Sequence, residues 1–207
     1  IRTALHRLHA EGGAESPLGT RLRKAFIKAL VERSDALQHE RSFGPVSENL
    51  LDVEEIAEIT PFAEEALLVS SELLKDNPAD SEVRYWRGRA LVRLGRHEDA
   101  QIQLRQGLEE HPEHQGIKDL IATMTSLEEI TARGTEFYRG GRLREALQLF
   151  TSGIDRDQEC VDVHAVSLLH YCRSTVLRRC GDFAQGLEDV NVALSLRPKW
   201  TKGLYLR

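Results

Sequence analysis

Side chains able to do chemistry are concentrated towards the C-terminal end of the chain. Cys160 and His164 are four residues apart, and His170 and Cys172 follow, so two thiols and two imidazoles are available on paper for a metal. A zinc site written into local sequence shows paired short spacings between its ligands, and this stretch has none. His111-Pro112-Glu113-His114 straddles a helix stop, because proline cannot supply the backbone donor that continues a helix. Its side chains are expected to scatter over a surface turn. Gly140-Gly141 lacks the Lys-Ser/Thr pair that closes a phosphate-binding loop. Glu54-Glu55, Glu64-Glu65 and Glu109-Glu110 read as solvated helix faces, and no serine or cysteine sits in the local setting of an activated nucleophile. Neither catalysis, nor a cofactor, nor a bound metal is supported, so function is expected in a surface.

Composition bounds what that surface can bind. The 207 residues carry 33 Asp and Glu against 28 Lys and Arg, a formal net charge of −5, which does not suit a partner whose many phosphates must be neutralised. DNA and RNA are not expected partners. The longest apolar stretch, Ala66 to Leu74, is broken by Ser70, Ser71 and Glu72, far short of the roughly 20 residues of a membrane span. Three irregularly spaced cysteines, Cys160, Cys172 and Cys180, argue against a disulfide framework and for a reducing compartment, the cytosol or the nucleus. The chain starts at Ile1 and stops at Arg207 inside a helical pattern, so it reads as a piece of something longer.

The elements that must position these residues repeat with a period of 34. From Ser81, Gly88, Gly95, Ala100, Leu104 and Pro112 fall at positions 8, 15, 20, 24 and 32 of a two-helix unit. Glycine at 8 permits close approach of a neighbouring helix, glycine at 15 supplies the turn, alanine at 20 sits where the helices cross, and proline at 32 ends the second helix. From Leu127 the same frame holds Gly134, Gly141, Ala146, Phe150 and Gly153, with Gln158 in place of proline. From Ser167 it holds Gly181, Leu187, Val190, Ala193 and Pro198, with Ser174 and Gly186 standing in at positions 8 and 20 and Asp182 placed to cap the second helix. Cys172 takes position 6 and Cys180 the turn, which gives both a structural place. A weaker copy starts near Ser47, with Ala66 and Pro78, and Thr201 opens another.

These residues resemble the tetratricopeptide repeat over about Ser47 to Arg207. The resemblance implies an all-α fold of helix-turn-helix units stacked into a right-handed superhelix, a solenoid interrupted here by one long helix. The starts at 47, 81, 127, 167 and 201 leave twelve extra residues before the third repeat and six before the fourth. Apolar residues at helical spacing from Ile117 to Phe137 place the twelve in a helix lengthened to about Arg139, an extension of about 18 Å. The six, around Glu159 to Val166, can be a longer loop or an early helical turn. The organisation expected is 1–46, an N-terminal helical region; 47–114, a block of two repeats; and 115–207, the long helix with a second block. In the first region Leu22, Phe26, Leu30 and Leu37 form an apolar stripe, read as a degenerate repeat or as a helix for a membrane surface or partner.

The resemblance also implies a peptide groove lined by first-helix positions. Repeat one would offer Glu48, Asp52, Glu55 and Glu58, an acidic end. Repeat two would offer Tyr85, Trp86, Arg89 and Arg93, repeat three Thr131, Thr135, Tyr138 and Arg139, repeat four Tyr171, Cys172, Arg178 and Arg179, and the last fragment Lys202 and Tyr205. The later part is basic with interleaved aromatics, suited to an extended acidic or aromatic peptide, although some of the aromatics could equally pack between helices.

From Asp80 onward the stretches YWRGRALVRLG, ARGTEFYRGGRLREALQLFTSGI and LLHYCRSTVLRRCGDFAQGLEDVNVALSLRP are similar in order and spacing to the J-domain-containing tetratricopeptide co-chaperones of the cytosol. That similarity implies partners among the 70-kDa and 90-kDa heat-shock chaperones or their clients, and a J domain after the last repeat. The family grips a chaperone's terminal aspartate with a clamp whose places here are Thr131, Thr135, Cys172, Lys202 and Leu206, of which only Lys202 matches. A terminal carboxylate needs several charge-assisted donors, so this window is not expected to bind chaperone tails in the usual way. Two readings follow: the repeat region of a co-chaperone, or a scaffold subunit of an unrelated complex with a different peptide ligand.

Overall fold

The computed structural model describes residues 17–43, 59–157 and 161–206, and every regular element among them is an α-helix. In chain order these are α1 (Pro17–Phe43), α2 (Ile59–Asp76), α3 (Ser81–Arg93), α4 (His97–Glu110), α5 (Gln115–Arg139), α6 (Leu143–Arg156), α7 (Val163–Cys180), α8 (Phe183–Leu196) and α9 (Thr201–Leu206). They fall into two compact units, one holding the described residues of 1–36 and 57–118, the other those of 37–56 and 119–207.

The repeated glycines act as the spacing requires. Gly95, Gly141 and Gly181 close the α3–α4, α5–α6 and α7–α8 turns with φ of 72°, 75° and 88°, a left-handed backbone that side chains disfavour. A methyl on Gly88 would meet Leu104 Cγ at 2.8 Å, and one on Gly134 would meet Phe150 Cζ at 2.7 Å. Position 8 is therefore bare so that the bulky residue at position 24 can lie against backbone. In the α7–α8 hairpin the bulk is moved: position 8 is Ser174, position 24 shrinks to Val190, and position 20 gives up its methyl as Gly186. Ala100 and Ala146, at the crossings, are fully buried.

The second helix of each hairpin starts by one of two devices. Arg96 pairs with Asp99 at 2.6 Å, and Arg142 pairs with Glu145, each spanning the first turn without a side-chain cap. In the third hairpin Asp182 caps α8 directly, accepting from Gln185 N at 3.2 Å.

The long helix is α5, and Ile117, Leu120, Met124 and Leu127 are buried along it at helical spacing. The later excess is an early helical turn: α7 begins at Val163, four residues ahead of the repeat start, capped by Asp162 Oδ1 accepting from Ala165 N at 2.9 Å. Asp157 holds the approach, its carboxylate accepting from Val161 N at 3.0 Å and Asp162 N at 2.8 Å.

The first repeat is where sequence and structure part. Glu48, Asp52, Glu55 and Glu58 lie outside the described residues. The helix that packs on α2 and α3 is α1, whose Phe26, Ile27, Leu30 and Val31 share a core with Ala63, Ala66 and Leu73 of α2 and with Val83, Trp86 and Ala90 of α3. Its buried face also takes in Arg23 and Ser34, while Leu22 is 40% exposed, so the stripe read from Leu22 to Leu37 was set to one side of the face that is buried. Phe26 and Leu30 are therefore not available to a membrane surface.

Candidate peptide-binding surface

In the first unit α3 carries Tyr85, Trp86, Arg89 and Arg93, and α1 covers much of what they present. Trp86 is 8% exposed inside the α1–α2–α3 core, with Lys28 Nζ 5.9 Å from the centroid of its ring. Arg93, with its side chain 4% exposed, and Arg89 both donate to the carboxylate of Asp35 on α1. Arg89 Nε and Arg93 Nε and Nη1 are buried without an acceptor among the described residues, a costly state for a guanidinium. Tyr85 stays half-buried, edge-on to Trp86 at 4.9 Å and 5.5 Å from the His114 ring. This corrects the groove reading at two positions: Trp86 and Arg93 are interior, because a helix from upstream packs over the register that spacing alone left open.

In the second unit the same register is more open among the described residues. On α5, Thr131 Oγ1 donates to Leu127 O at 2.8 Å and Thr135 Oγ1 to Thr131 O at 2.7 Å, so both hydroxyl protons are used within the helix. Tyr138 lies under Arg179 of α7, whose Cζ is 5.3 Å from the ring and whose Nη1 donates to Tyr138 O at 3.3 Å. Arg139 is exposed beside them in sequence. Tyr171 is half-buried and packs on Trp200 at 4.9 Å, and Arg197 covers the same indole at 4.6 Å. Cys172 is partly buried, and burial pushes its thiol up to about 11, which keeps it neutral and a poor ligand or nucleophile at ordinary pH. Arg178 is exposed and faces α8, while Lys202 and Tyr205 are exposed on α9. Tyr138 and Arg179 are thus brought together, Tyr171 is engaged with Trp200, and Cys172 packs against the α5–α6–α7 core.

Of the five clamp places, Lys202 alone carries a charged donor. Thr131 and Thr135 have committed their protons, Cys172 is neutral, and Leu206 is apolar. Among the described residues no three His, Cys, Asp or Glu side chains converge as metal ligands, and Cys160 is not among them. No described helix is long and apolar enough to cross a membrane.

A polar network missed in the sequence fixes α7 against α8. Asp189 accepts from His170 Nδ1 at 2.8 Å, from Arg173 Nε at 2.8 Å and from Arg173 Nη2 at 2.7 Å, and Arg173 Nη1 reaches Thr151 Oγ1 on α6 at 3.3 Å. Burial alone would raise the Asp189 pKa, but the hydrogen bonds and charges of Arg173 and His170 hold it below the usual carboxylate range. The signal was present: Asp189 shares a helical face with Gly186, Val190 and Ala193, and an acid on such a face requires a buried partner.

Residues 63–123 match the tetratricopeptide repeat family. The chain is 24% identical over 139 residues to the DnaJ homolog subfamily C member 7 homolog of Schizosaccharomyces pombe, which covers 67% of this chain and 29% of that protein. It is 24% identical over 135 residues to the DnaJ homolog subfamily C member 3 homolog of Dictyostelium discoideum (65% of this chain, 26% of that one). It is 27% identical over 135 residues to the DnaJ protein P58IPK homolog of Arabidopsis thaliana (65% and 28%). The match therefore spans less than a third of the length of these relatives. With its glycine turns and bare position-8 crossings, the described part of the chain has the all-α hairpin architecture of a tetratricopeptide-repeat solenoid, and residues 63–123 match that family.

Proposed function

We propose that the chain is a non-enzymatic protein-binding module of the co-chaperone type, whose second unit holds an extended acidic or aromatic peptide from a chaperone or client. The observation that carries this reading is the pairing of Tyr138 with Arg179, beside exposed Arg139, in the register that α1 covers in the first unit. Arginine over an aromatic face presents guanidinium donors to a carboxylate and a flat surface to a ring. The names of the DnaJ relatives support the chaperone setting. The state of the clamp residues supports a contact made through side-chain carboxylates and rings rather than through a terminal carboxylate.

The test is a fluorescence titration with a labelled acidic peptide carrying an aromatic residue, in free-acid and C-terminally amidated forms. The two forms should bind alike, and the double variant Tyr138→Ala/Arg179→Ala should weaken both at least fivefold. Micromolar binding that vanishes on amidation would restore the terminal-carboxylate clamp. The same clamp residues favour a second reading, a scaffold subunit with a non-chaperone ligand; affinity capture of the native protein with a stable complex free of 70-kDa and 90-kDa chaperones would select it.

A further inference from the structure

Three guanidiniums gather on the last turn of α5 in the second unit. Arg142, just past Gly140 and Gly141, lies 4.1 Å from the centroid of the Phe137 ring, Arg179 lies 5.3 Å from that of Tyr138, and Arg139 is the next residue along the helix. Each of these arginines is exposed. The rings beneath two of them are fixed in turn, because Phe137 and Tyr138 are half-buried against the core of Leu127, Phe150 and Leu169. A guanidinium already lying on a ring has less freedom left to lose when a ligand arrives. The turn beside them leaves room: Gly140 and Gly141 present no side chain, and a methyl on Gly141 would meet nothing within 4 Å.

The charge at this corner is one-sided. Arg142 gives Nε to Glu145 Oε2 at 2.7 Å and Nη2 to Glu145 Oε1, whereas Arg179 gives only Nη1, to Tyr138 O. Arg139 makes no hydrogen bond or ion pair among the described residues, although Glu136 lies one turn before it. Asp182, the acid that follows Arg179, caps α8. Residues 136–145 together with Arg179 hold four arginines against two glutamates, an excess of two positive charges on a chain whose net charge is −5. A single carboxylate would neutralise half of that excess. A phosphate monoester carries about −1.5 to −2 at neutral pH and has three strong acceptor oxygens, so it matches both the charge and the three converging guanidiniums.

We propose that the acidic group held at this corner is a phosphorylated serine or threonine of a protein partner, its phosphate bound by Arg139, Arg142 and Arg179. The proposal rests on the peptide-binding reading and replaces its side-chain carboxylate by a stronger anion, and the test separates the two. Three labelled peptides would be titrated into the full chain, identical except for serine, glutamate or phosphoserine at one position beside an aromatic residue. The phosphoserine peptide should bind about tenfold tighter than the glutamate peptide. Arg139→Gln, and independently Arg142→Gln, should shrink that gap to about threefold or less, and Glu145→Gln should widen it by freeing Arg142. Arg105→Gln removes an exposed arginine of α4 in the first unit, changes the net charge by the same amount and should leave the gap intact. Circular dichroism checks that each variant keeps its helices.

A phosphoserine peptide that binds no tighter than the glutamate peptide overturns the phosphate site and leaves the peptide-binding reading in place. A gap that Arg139→Gln and Arg142→Gln leave untouched, or that Arg105→Gln closes as far, does the same. No binding of any of the three peptides overturns both. Binding to phosphatidylserine vesicles without any preference for the phosphoserine peptide overturns the proposal by making a lipid surface the occupant.

Discussion

Arg93, Arg139 and Arg179 hold the same place, position 13, in three successive repeats, and each has a different environment. Arg93 is sealed between α3 and α1 against Asp35, Arg139 is exposed, and Arg179 spreads over Tyr138. The repeat fixes where the side chain leaves the helix, and what lies opposite decides whether it becomes core or recognition surface. The first unit has used its register to hold α1, and among the described residues the second keeps part of its own register open. Aromatic position 5 divides less sharply: Tyr85 and Tyr171 are both half-buried, each beside a tryptophan.

The largest effect that would sharpen this contrast is a pair of truncations measured by urea unfolding. Trp86→Ala removes a buried indole from the first unit and should cost about 3–5 kcal/mol. Tyr138→Ala removes a half-buried ring that packs under an exposed guanidinium and should cost about 1 kcal/mol while weakening peptide binding. Equal losses would mean that Tyr138 is also core, and the contrast between the units would fail.

Next in size is the Asp189 network. Asp189→Asn leaves Arg173 facing a neutral amide and should cost about 3 kcal/mol at pH 7. The pH dependence has a definite sign. The carboxyl is held below its ordinary value, so its contribution is complete above about pH 4 and is lost as pH falls through the lowered folded value. The stability gap between the parent chain and Asp189→Asn should therefore be constant from pH 7 to 5 and close below pH 4. A gap that is already closing at pH 6 would mean that ionisation of Asp189 is not what the network contributes.

Third come the two ways of packing a hairpin. Gly134→Ala forces a methyl against the Phe150 ring and should cost about 2 kcal/mol. Gly186→Ala meets backbone at 3.4 Å and should cost about 1 kcal/mol or less. Reversal of that order would show that the α7–α8 hairpin has no slack from its smaller Val190.

These glycines also mark what was legible beforehand. Gly88, Gly95, Gly134 and Gly141 answer to constraints within one hairpin, left-handed backbone or contact across a crossing, so their types and spacing revealed the fold directly. The role of α1 was not legible, because Asp35 meets Arg89 and Arg93 from 54 and 58 residues away and nothing local ties it to them. Tyr138 and Arg179, 41 residues apart, were legible singly as register positions, but their stacking depends on how α5 and α7 pack. Arg178 was read into the same groove as Arg179, and the helical rotation between consecutive residues turns it to α8.

The smallest expected effect concerns the turns, where two hairpins start their second helix with an arginine–acid pair and the third with an aspartate cap. A cap satisfies an otherwise orphaned backbone donor, whereas an exposed i,i+3 ion pair competes with water and salt. Asp182→Ala should therefore lower stability by about 1 kcal/mol in any salt. Arg96→Ala, which breaks a pair with both side chains about half exposed, should leave the urea midpoint nearly unchanged, and any small loss should vanish at high ionic strength. If Arg96→Ala instead matches Asp182→Ala in size and resists salt, the arginine at this turn is supporting the α3–α4 hairpin through its alkyl packing, and the first unit is held by its turn as well as by α1.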